Sequence, residues 1–266
     1  MSSIVEVRDL VKRYGEFAAV DGISFEIEEG EVFGLIGPNG AGKTTTIQMM
    51  TTLLPPTAGQ VAIRGLDVVR EGARVRRLLG YVPQSLSADG SLTGYENLLV
   101  FAKLLGLSRA ERRRRVEAAL KRMRLEEAAD RLVRQYSGGM VRRLEIGQAI
   151  LHLPRVLILD EPTIGLDPTA RRSVWEVVEE LREASGMTVL ITTHYMEEAE
   201  ALCRRVAIMN RGRIAAIGTP ERLKESIGHP GATLEEVFTA LTGDEIESGG
   251  SYRETRQLRR RARRFG

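Results

Sequence analysis

The chain of 266 residues is 42% hydrophobic and 28% charged. That balance excludes wholesale disorder and a collagen-like chain, and the length suits one large α/β domain or two small ones. The net charge of +3 conceals a division: residues 252–266 hold seven Arg and one Glu, leaving −3 on residues 1–251, which argues against general nucleic-acid affinity of the body.

Cys203 is the single cysteine and cannot form an intramolecular disulfide, so a reducing compartment is the simpler expectation. His152, His194 and His229 are too scattered to suggest a metal cluster. No apolar run approaches the roughly 20 residues of a membrane-spanning helix, and the N-terminus reads as a strand rather than a signal peptide.

In chain order, Ile4, Val5, Val7 and Leu10 open a strand, and Ile23, Phe25 and Ile27 alternate with Ser24, Glu26 and Glu28 as in a second, half-buried strand. Three short apolar runs follow, Val32–Ile36, Val156–Leu159 and Val189–Ile191. Their β-branched residues fit strands buried on both faces of a largely parallel sheet. Between about Ser85 and Pro154 the pattern turns helical. Ser108 and Glu111 make a capping box, Val116, Leu120 and Met123 follow at helical spacing, and Arg112–Arg115 read as a solvated face. Further on, Leu234, Val237, Phe238 and Leu241 give one apolar helical face.

The expected organisation is an α/β core of residues 1–84 and 155–217, a helical subdomain of 85–154, a C-terminal extension of 218–248, and a basic tail of 249–266. The tail is expected to be a solvated segment, and contact with anionic lipid headgroups is the functional alternative.

Chemistry concentrates in two places. Gly37-Pro-Asn-Gly-Ala-Gly-Lys-Thr44 matches the phosphate-binding pattern GxxxxGK[ST] and sits between the Val32–Ile36 strand and a helix expected to start near Thr45. Glycines let the backbone wrap closely around phosphates, so that N–H groups and the helix N-terminus face the negative charge. Lys43 would bridge β- and γ-phosphates and Thr44 would ligate Mg²⁺. The second place is Val156-Leu-Ile-Leu-Asp160-Glu161, a buried strand ending in two carboxylates. Asp160 can reach the Mg²⁺ region, and Glu161 can orient or deprotonate water attacking the γ-phosphate.

Four further segments stand around these: Gln84 in Tyr81-Val-Pro-Gln84, Tyr136-Ser-Gly-Gly-Met140, Gly165-Leu-Asp167, and His194 in Thr192-Thr-His194. The six, taken in chain order with Tyr136–Met140 preceding the acidic strand, resemble the motifs of ABC-transporter ATPases, and the resemblance spans roughly Ile4 to Gly218. It implies a P-loop NTPase core with a largely parallel central sheet, an N-terminal antiparallel β portion and an inserted helical subdomain.

The resemblance further implies a site for ATP and Mg²⁺. Asn39, Gly40, Ala41, Gly42, Lys43, Thr44 and Thr45 would cradle the phosphates, with Thr44, Gln84 and Asp160 as metal ligands. Tyr14 would stack on adenine with Val20 as an apolar neighbour. Glu161, His194, Gln84 and Lys43 would carry catalysis. Ser137, Gly138 and Gly139 of one protomer would complete the ATP site of another, and Asp167 would sit at the dimer centre. Met140 and Tyr136 depart from the usual Gln and Leu of that motif, without touching its phosphate-facing backbone.

The implied partners are a second ATPase subunit, identical or paralogous, and a polytopic membrane subunit, at the cytoplasmic face of the membrane. Residues 233–243, with Ser137–Met140, resemble ABC-2-type exporter ATPases of the daunorubicin-resistance kind, with drugs, lipids or polysaccharides as cargo. A non-transport ABC ATPase and an ATP-switched nucleic-acid adaptor are the rivals. Trp175, Cys203, His152 and His229 are read as structural.

Overall fold

The computed structural model describes residues 3–228 and 231–243. The chain runs β1 (Ser3–Tyr14), β2 (Phe17–Glu28), β3 (Val32–Ile36), α1 (Lys43–Met50), β4 (Ala58–Ile63), β5 (Leu66–Asp67), α2 (Gly72–Arg76) and β6 (Leu79–Val82). Then come α3 (Gly94–Leu104), α4 (Arg109–Arg122), α5 (Gly138–Ile150), β7 (Val156–Asp160), α6 (Pro168–Ser185), β8 (Thr188–Thr193) and α7 (Met196–Leu202). β9 (Arg205–Asn210), β10 (Arg213–Gly218), α8 (Pro220–Ser226) and α9 (Leu234–Thr242) complete it.

Two sheets result. The first is antiparallel in the order β2-β1-β4-β5, and the second runs β10-β9-β3-β8-β7-β6. Every pairing in the second sheet is parallel except β9 with β10. Side chains alternate across a strand, and the short apolar runs use both faces. Phe33, Leu35, Val156, Ile158 and Leu190 join Val5, Val7, Ile23, Ile27 and Ile47 in a core shared with the antiparallel sheet. Val32, Ile36, Leu157, Leu159, Val189 and Ile191 point the other way, into a core with Leu98, Val116, Leu144 and Val177 of the helices. An unbroken apolar run is what a strand between two cores requires.

The helices between β6 and β7 begin at chemically fitted caps. Thr93 with Glu96 and Ser108 with Glu111 both close capping boxes at the starts of α3 and α4. Val116, Leu120 and Met123 are buried, as their spacing predicts.

Three local expectations are corrected. Helix α1 starts at Lys43, because Gly42 takes a left-handed cap at φ 104. The Arg112–Arg115 run is not uniformly solvated. Arg112 Nε donates to the carbonyl of Leu107, in the loop before the α4 cap Ser108, at 2.6 Å, and Arg115 Nη1 donates to that of Leu151, the C-cap of α5, at 2.9 Å, where a helix-end carbonyl needs a donor. On α9, Leu234, Val237 and Phe238 are buried but Leu241 is 42% exposed, since the last turn runs past the surface it packs on. Residues 244–266, with the basic tail, and His229 lie outside the described residues.

Candidate active site

Parallel strands release their loops at one edge of a sheet, where open α/β sheets place ligand sites. β8 lies between β3 and β7. The loop after β3 carries residues 37–42, β7 ends at Asp160 with Glu161 next, and β8 ends at Thr193 with His194 next. In register, Ile36 pairs with Thr193 and Asp160 with Thr192, so the three loops leave the sheet side by side.

The glycines of the first loop are held by space. A Cβ on Gly37 would stand 2.1 Å from the Met209 carbonyl oxygen, and one on Gly42 would stand 2.4 Å from that of Ala19. Gly40, at φ 79, meets nothing and supplies only the turn. Lys43 is 4% exposed and donates to the carbonyls of Gly37 at 2.8 Å and Pro38 at 3.1 Å. Its ammonium also lies 3.2 Å from Glu161 Oε1. Burial lowers its pKa, and the Glu161 and Asp160 charges pull the other way.

Glu161 adopts φ 47, a region few non-glycine residues enter. Its N–H donates to both the carbonyl and the hydroxyl oxygen of Thr192, each at 3.0 Å, which fixes the peptide there. Its Oε2 lies 3.0 Å from His194 Nδ1. Desolvation raises the carboxyl's pKa, but the His194 hydrogen bond and the Lys43 charge outweigh it and hold the group below its ordinary value. Glu161 is therefore ionised at neutral pH, as a proton acceptor must be.

Asp160 is 1% exposed, and its Oδ1 accepts from the hydroxyls of Thr192 and, at 3.4 Å, Thr44. Its Oδ2 is buried with no hydrogen-bond partner. Burial raises its pKa against those two hydroxyls. A carboxylate with a free lone pair beside a threonine hydroxyl is a hard-oxygen donor set of the kind a divalent cation takes.

A cleft of about 520 Å³ joins Lys43, Thr44 and Glu161 to the β1–β2 hairpin end, and Asp160 and His194 do not line it. Tyr14, Phe17, Ala19, Asn39, Gly40, Ala41, Gly42, Lys43, Thr44, Thr45, Gln84, Glu161 and Ile164 line it. Tyr14 is 51% and Phe17 66% exposed, and they pair across the hairpin. A flat apolar group would find two aromatic rings at the mouth. Val20 is corrected: it is fully buried in the core between the sheets and does not line the cleft, because it packs beneath Gly42. Phe17, one hairpin turn from Tyr14, takes the place expected of it. Both Phe17 and Val20 are apolar residues near Tyr14, and no signal in the sequence separates them.

Ser137, Gly138 and Gly139 do not line this cleft. Ser137 caps α5, its Oγ accepting from Met140 N at 3.3 Å. A Cβ on Gly139 would stand 2.9 Å from Ala170 Cβ, and one on Gly138 would stand 3.0 Å from Leu166, so the helix start seats against α6 of its own chain. Asp167 caps α6, accepting from Thr169 N and Ala170 N at 3.0 Å. Tyr136 reaches the Ala128 carbonyl at 2.6 Å, and Met140 packs on the helical core. The departures from the usual motif thus go into packing.

One pair went unread in the sequence. Arg142 and Glu145, both 2% exposed, lie 3.1 Å apart on α5. Arg142 also donates to the carbonyls of Pro83 at 2.7 Å and Gln84 at 2.9 Å, while Glu145 accepts from Ser87 and Ala88. They join α5 to the segment that presents Gln84. Their i,i+3 spacing was visible, but nothing marked it as buried.

The whole chain can be set beside known proteins. The ABC transporter family model matches residues 20–164. The linearmycin resistance ATP-binding protein LnrL of Bacillus subtilis (strain 168) is 42% identical, over 85% of this chain and 72% of its own. The daunorubicin/doxorubicin resistance ATP-binding protein DrrA of Streptomyces peucetius is 46% identical over 84% and 68%. The Nod factor export ATP-binding protein I of Ralstonia nicotianae (strain ATCC BAA-1114 / GMI1000) is 46% identical over 91% and 74%. A solved ATP-binding subunit of an ABC transporter superposes with a TM-score of 0.79 at 34% identity, covering 90% of this chain and all of that one. An ATP-binding cassette solved as a dimer with ADP and Pi gives 0.71 at 29% identity, over 81% and 98%. The matched residues include the phosphate loop and the paired carboxylates, and the chain belongs to the ABC transporter family as an ATP-binding, ATP-hydrolysing subunit.

Proposed function

We propose that this chain powers export through a separate polytopic membrane subunit, binding and hydrolysing ATP with Mg²⁺ as one of two ATPase protomers at the cytoplasmic face of a membrane. The observation that carries the reading is the convergence of Lys43, Glu161 and His194 at the ends of three adjacent strands, around a cleft lined by the phosphate loop.

In this reading the loop of residues 37–45 holds the phosphates with its N–H groups, and Lys43 moves its ammonium from the Gly37 and Pro38 carbonyls to the phosphate oxygens. Asp160 and Thr44, with Gln84 at the cleft wall, would hold Mg²⁺, which when bound neutralises charge on those oxygens. Glu161 accepts the proton of the attacking water, and His194 keeps that carboxylate oriented and contacts the γ-phosphate. Tyr14 and Phe17 offer the base its stacking surface. Ser137–Gly139 lie away from the cleft of their own chain, which supports their use by a second protomer's site.

No helix among the described residues is long and apolar enough to cross a membrane. A cavity of about 220 Å³ lined by Tyr81, Pro83, Ser87, Phe101, Leu105 and His152 lies beside the Gln84 segment. With exposed Leu86 and Leu104 nearby in sequence, it is a fitting seat for a helix of the membrane subunit. The export direction is supported by the relatives' names, which speak of linearmycin and daunorubicin/doxorubicin resistance and of Nod factor export, and the cargo is a drug, lipid or polysaccharide. Co-purification of the full chain from membranes with a polytopic protein, followed by screening cargos for stimulated ATPase activity, tests the reading. Recovery with a soluble nucleic-acid machine instead would overturn it.

A further inference from the structure

A buried carboxylate unused by the proposed mechanism lies behind the site. Glu198 on α7 is fully buried. Its Oε1 accepts from Thr163 Oγ1 and from Trp175 Nε1, each at 2.9 Å. Its Oε2 has no hydrogen-bond partner. A lone carboxylate costs more to bury than an apolar side chain of the same size, so its place is explained by what it holds rather than by packing.

What it holds flanks the reacting groups. Thr163 stands two residues after Glu161, and α7, which carries Glu198, begins two residues after His194. Thr193 Oγ1 accepts from Tyr195 N at 3.0 Å, so one hydroxyl spans the peptide units on both sides of His194. The Tyr195 ring lies 4.1 Å from the His194 ring, and the Arg171 guanidinium lies 4.4 Å from Tyr195. Glu161 needs such support, because its φ of 47 persists only where neighbours determine it. On its N-terminal side Thr192 fixes the peptide, and on its C-terminal side the next anchored side chain is Thr163.

We propose that Glu198 is a positioning residue for hydrolysis, gathering Thr163 and Trp175 onto one carboxyl group of α7 so that Glu161 and His194 keep their 3.0 Å relation. The inference rests on the roles given above to Glu161 and His194. It adds that their alignment is set from behind, through α7, rather than by the two loops alone.

The test uses the full-length chain with ATP and Mg²⁺, measuring kcat and KM by phosphate release. Glu198→Leu keeps the volume and removes the acceptor. It is expected to lower kcat about 10–100-fold, the effect of a small misplacement of reacting groups. KM for ATP should stay within roughly threefold, because the phosphate loop is untouched. Glu198→Gln retains an acceptor oxygen and should regain most of the lost turnover. In a His194→Ala background the Leu substitution should cost little more, since both changes act on one unit.

A Glu198→Leu kcat within about twofold of the parent, or a loss that adds in full to that of His194→Ala, overturns the proposal. If Glu198→Leu does not fold, Thr163→Val and Trp175→Phe each remove one donor, and unchanged kcat in both overturns it equally. Glu161→Gln separates this idea from the one beneath it. Retained turnover there sinks the catalytic assignment, whereas an inactive Glu161→Gln beside a normal Glu198→Leu sinks the positioning role alone.

Discussion

Lys43 and Glu161 form a buried ion pair, 3.2 Å between Nζ and Oε1, that links the phosphate loop to the end of β7. The same carboxylate gives its other oxygen to His194. One side chain thus faces both the group that would bind phosphate and the group that would sense it.

Glu161→Gln is expected to lower ATP turnover by roughly 10²–10⁴-fold, the range for losing a general base. ATP affinity should be retained, because the amide is the same size and the loop of residues 37–45 is intact. Phosphate release and equilibrium ATP binding on one preparation check this.

Lys43→Ala should act on capture. Losing a charged donor to phosphate is worth about 1.5–3 kcal/mol, or roughly 10–150-fold in ATP affinity. Titration with ATP reads this directly, and an affinity unchanged from the parent would remove Lys43 from phosphate binding.

Arg142→Met should destabilise the fold by about 3–5 kcal/mol, because it leaves Glu145 buried without its cation. For a chain of this size that is a fall in melting temperature of roughly 6–20 °C. Adding Glu145→Gln should recover part of the loss. Thermal unfolding of Arg142→Met, Glu145→Gln and the double variant distinguishes a coupled pair from two independent contacts.

His152 gives a pH dependence whose sign follows from burial. Desolvation lowers its pKa below the ordinary 6.5, and the Leu79 carbonyl opposes this only in part. The folded chain therefore takes up a proton less readily than the unfolded one. The contribution of the neutral ring is complete above pH 6.5 and is lost as pH falls below it. His152→Gln can still donate to Leu79 and does not titrate. Relative to it, the parent protein should lose melting temperature between pH 7.5 and 5.5.

Cys203 is buried, and burial pushes its thiol pKa far up. The thiolate is the reactive form. The native protein should resist thiol reagents at neutral pH and react on unfolding, so labelling rate reports global opening. Rapid labelling without unfolding would contradict the packing of Cys203 against Gly34, where a Cβ would stand 2.9 Å from its sulfur.

Much of the fold was legible because the relevant physics is local. Val32–Ile36 and Val156–Leu159 announce strands covered on both faces, and Ser108 with Glu111 announces a helix start. The phosphate loop and the Asp160–Glu161 pair were legible as chemistry. What the sequence could not convey depends on the third dimension. Val20 and Phe17 are both apolar residues near Tyr14, and only the hairpin register and the sheet-to-sheet core decide which one faces the cleft. Arg142 looks like any helix-surface arginine until its carbonyl partners at Pro83 and Gln84 are known. Arg115 is read as solvated for the same reason.

The position of β8 between β3 and β7 sets a gauge for the whole site. Neighbouring strands lie about 4.8 Å apart, so the glycine loop and the acid pair leave the sheet roughly 10 Å from each other. That separation suits a polyphosphate chain with its counter-ion, and the intervening strand supplies Thr192 and His194 to the middle of it. A strand added at the β6 or β10 border would leave the gauge unchanged, whereas one added on either side of β8 would separate the partners beyond reach. Variation in this scaffold is thus free at its margins and closed at its centre.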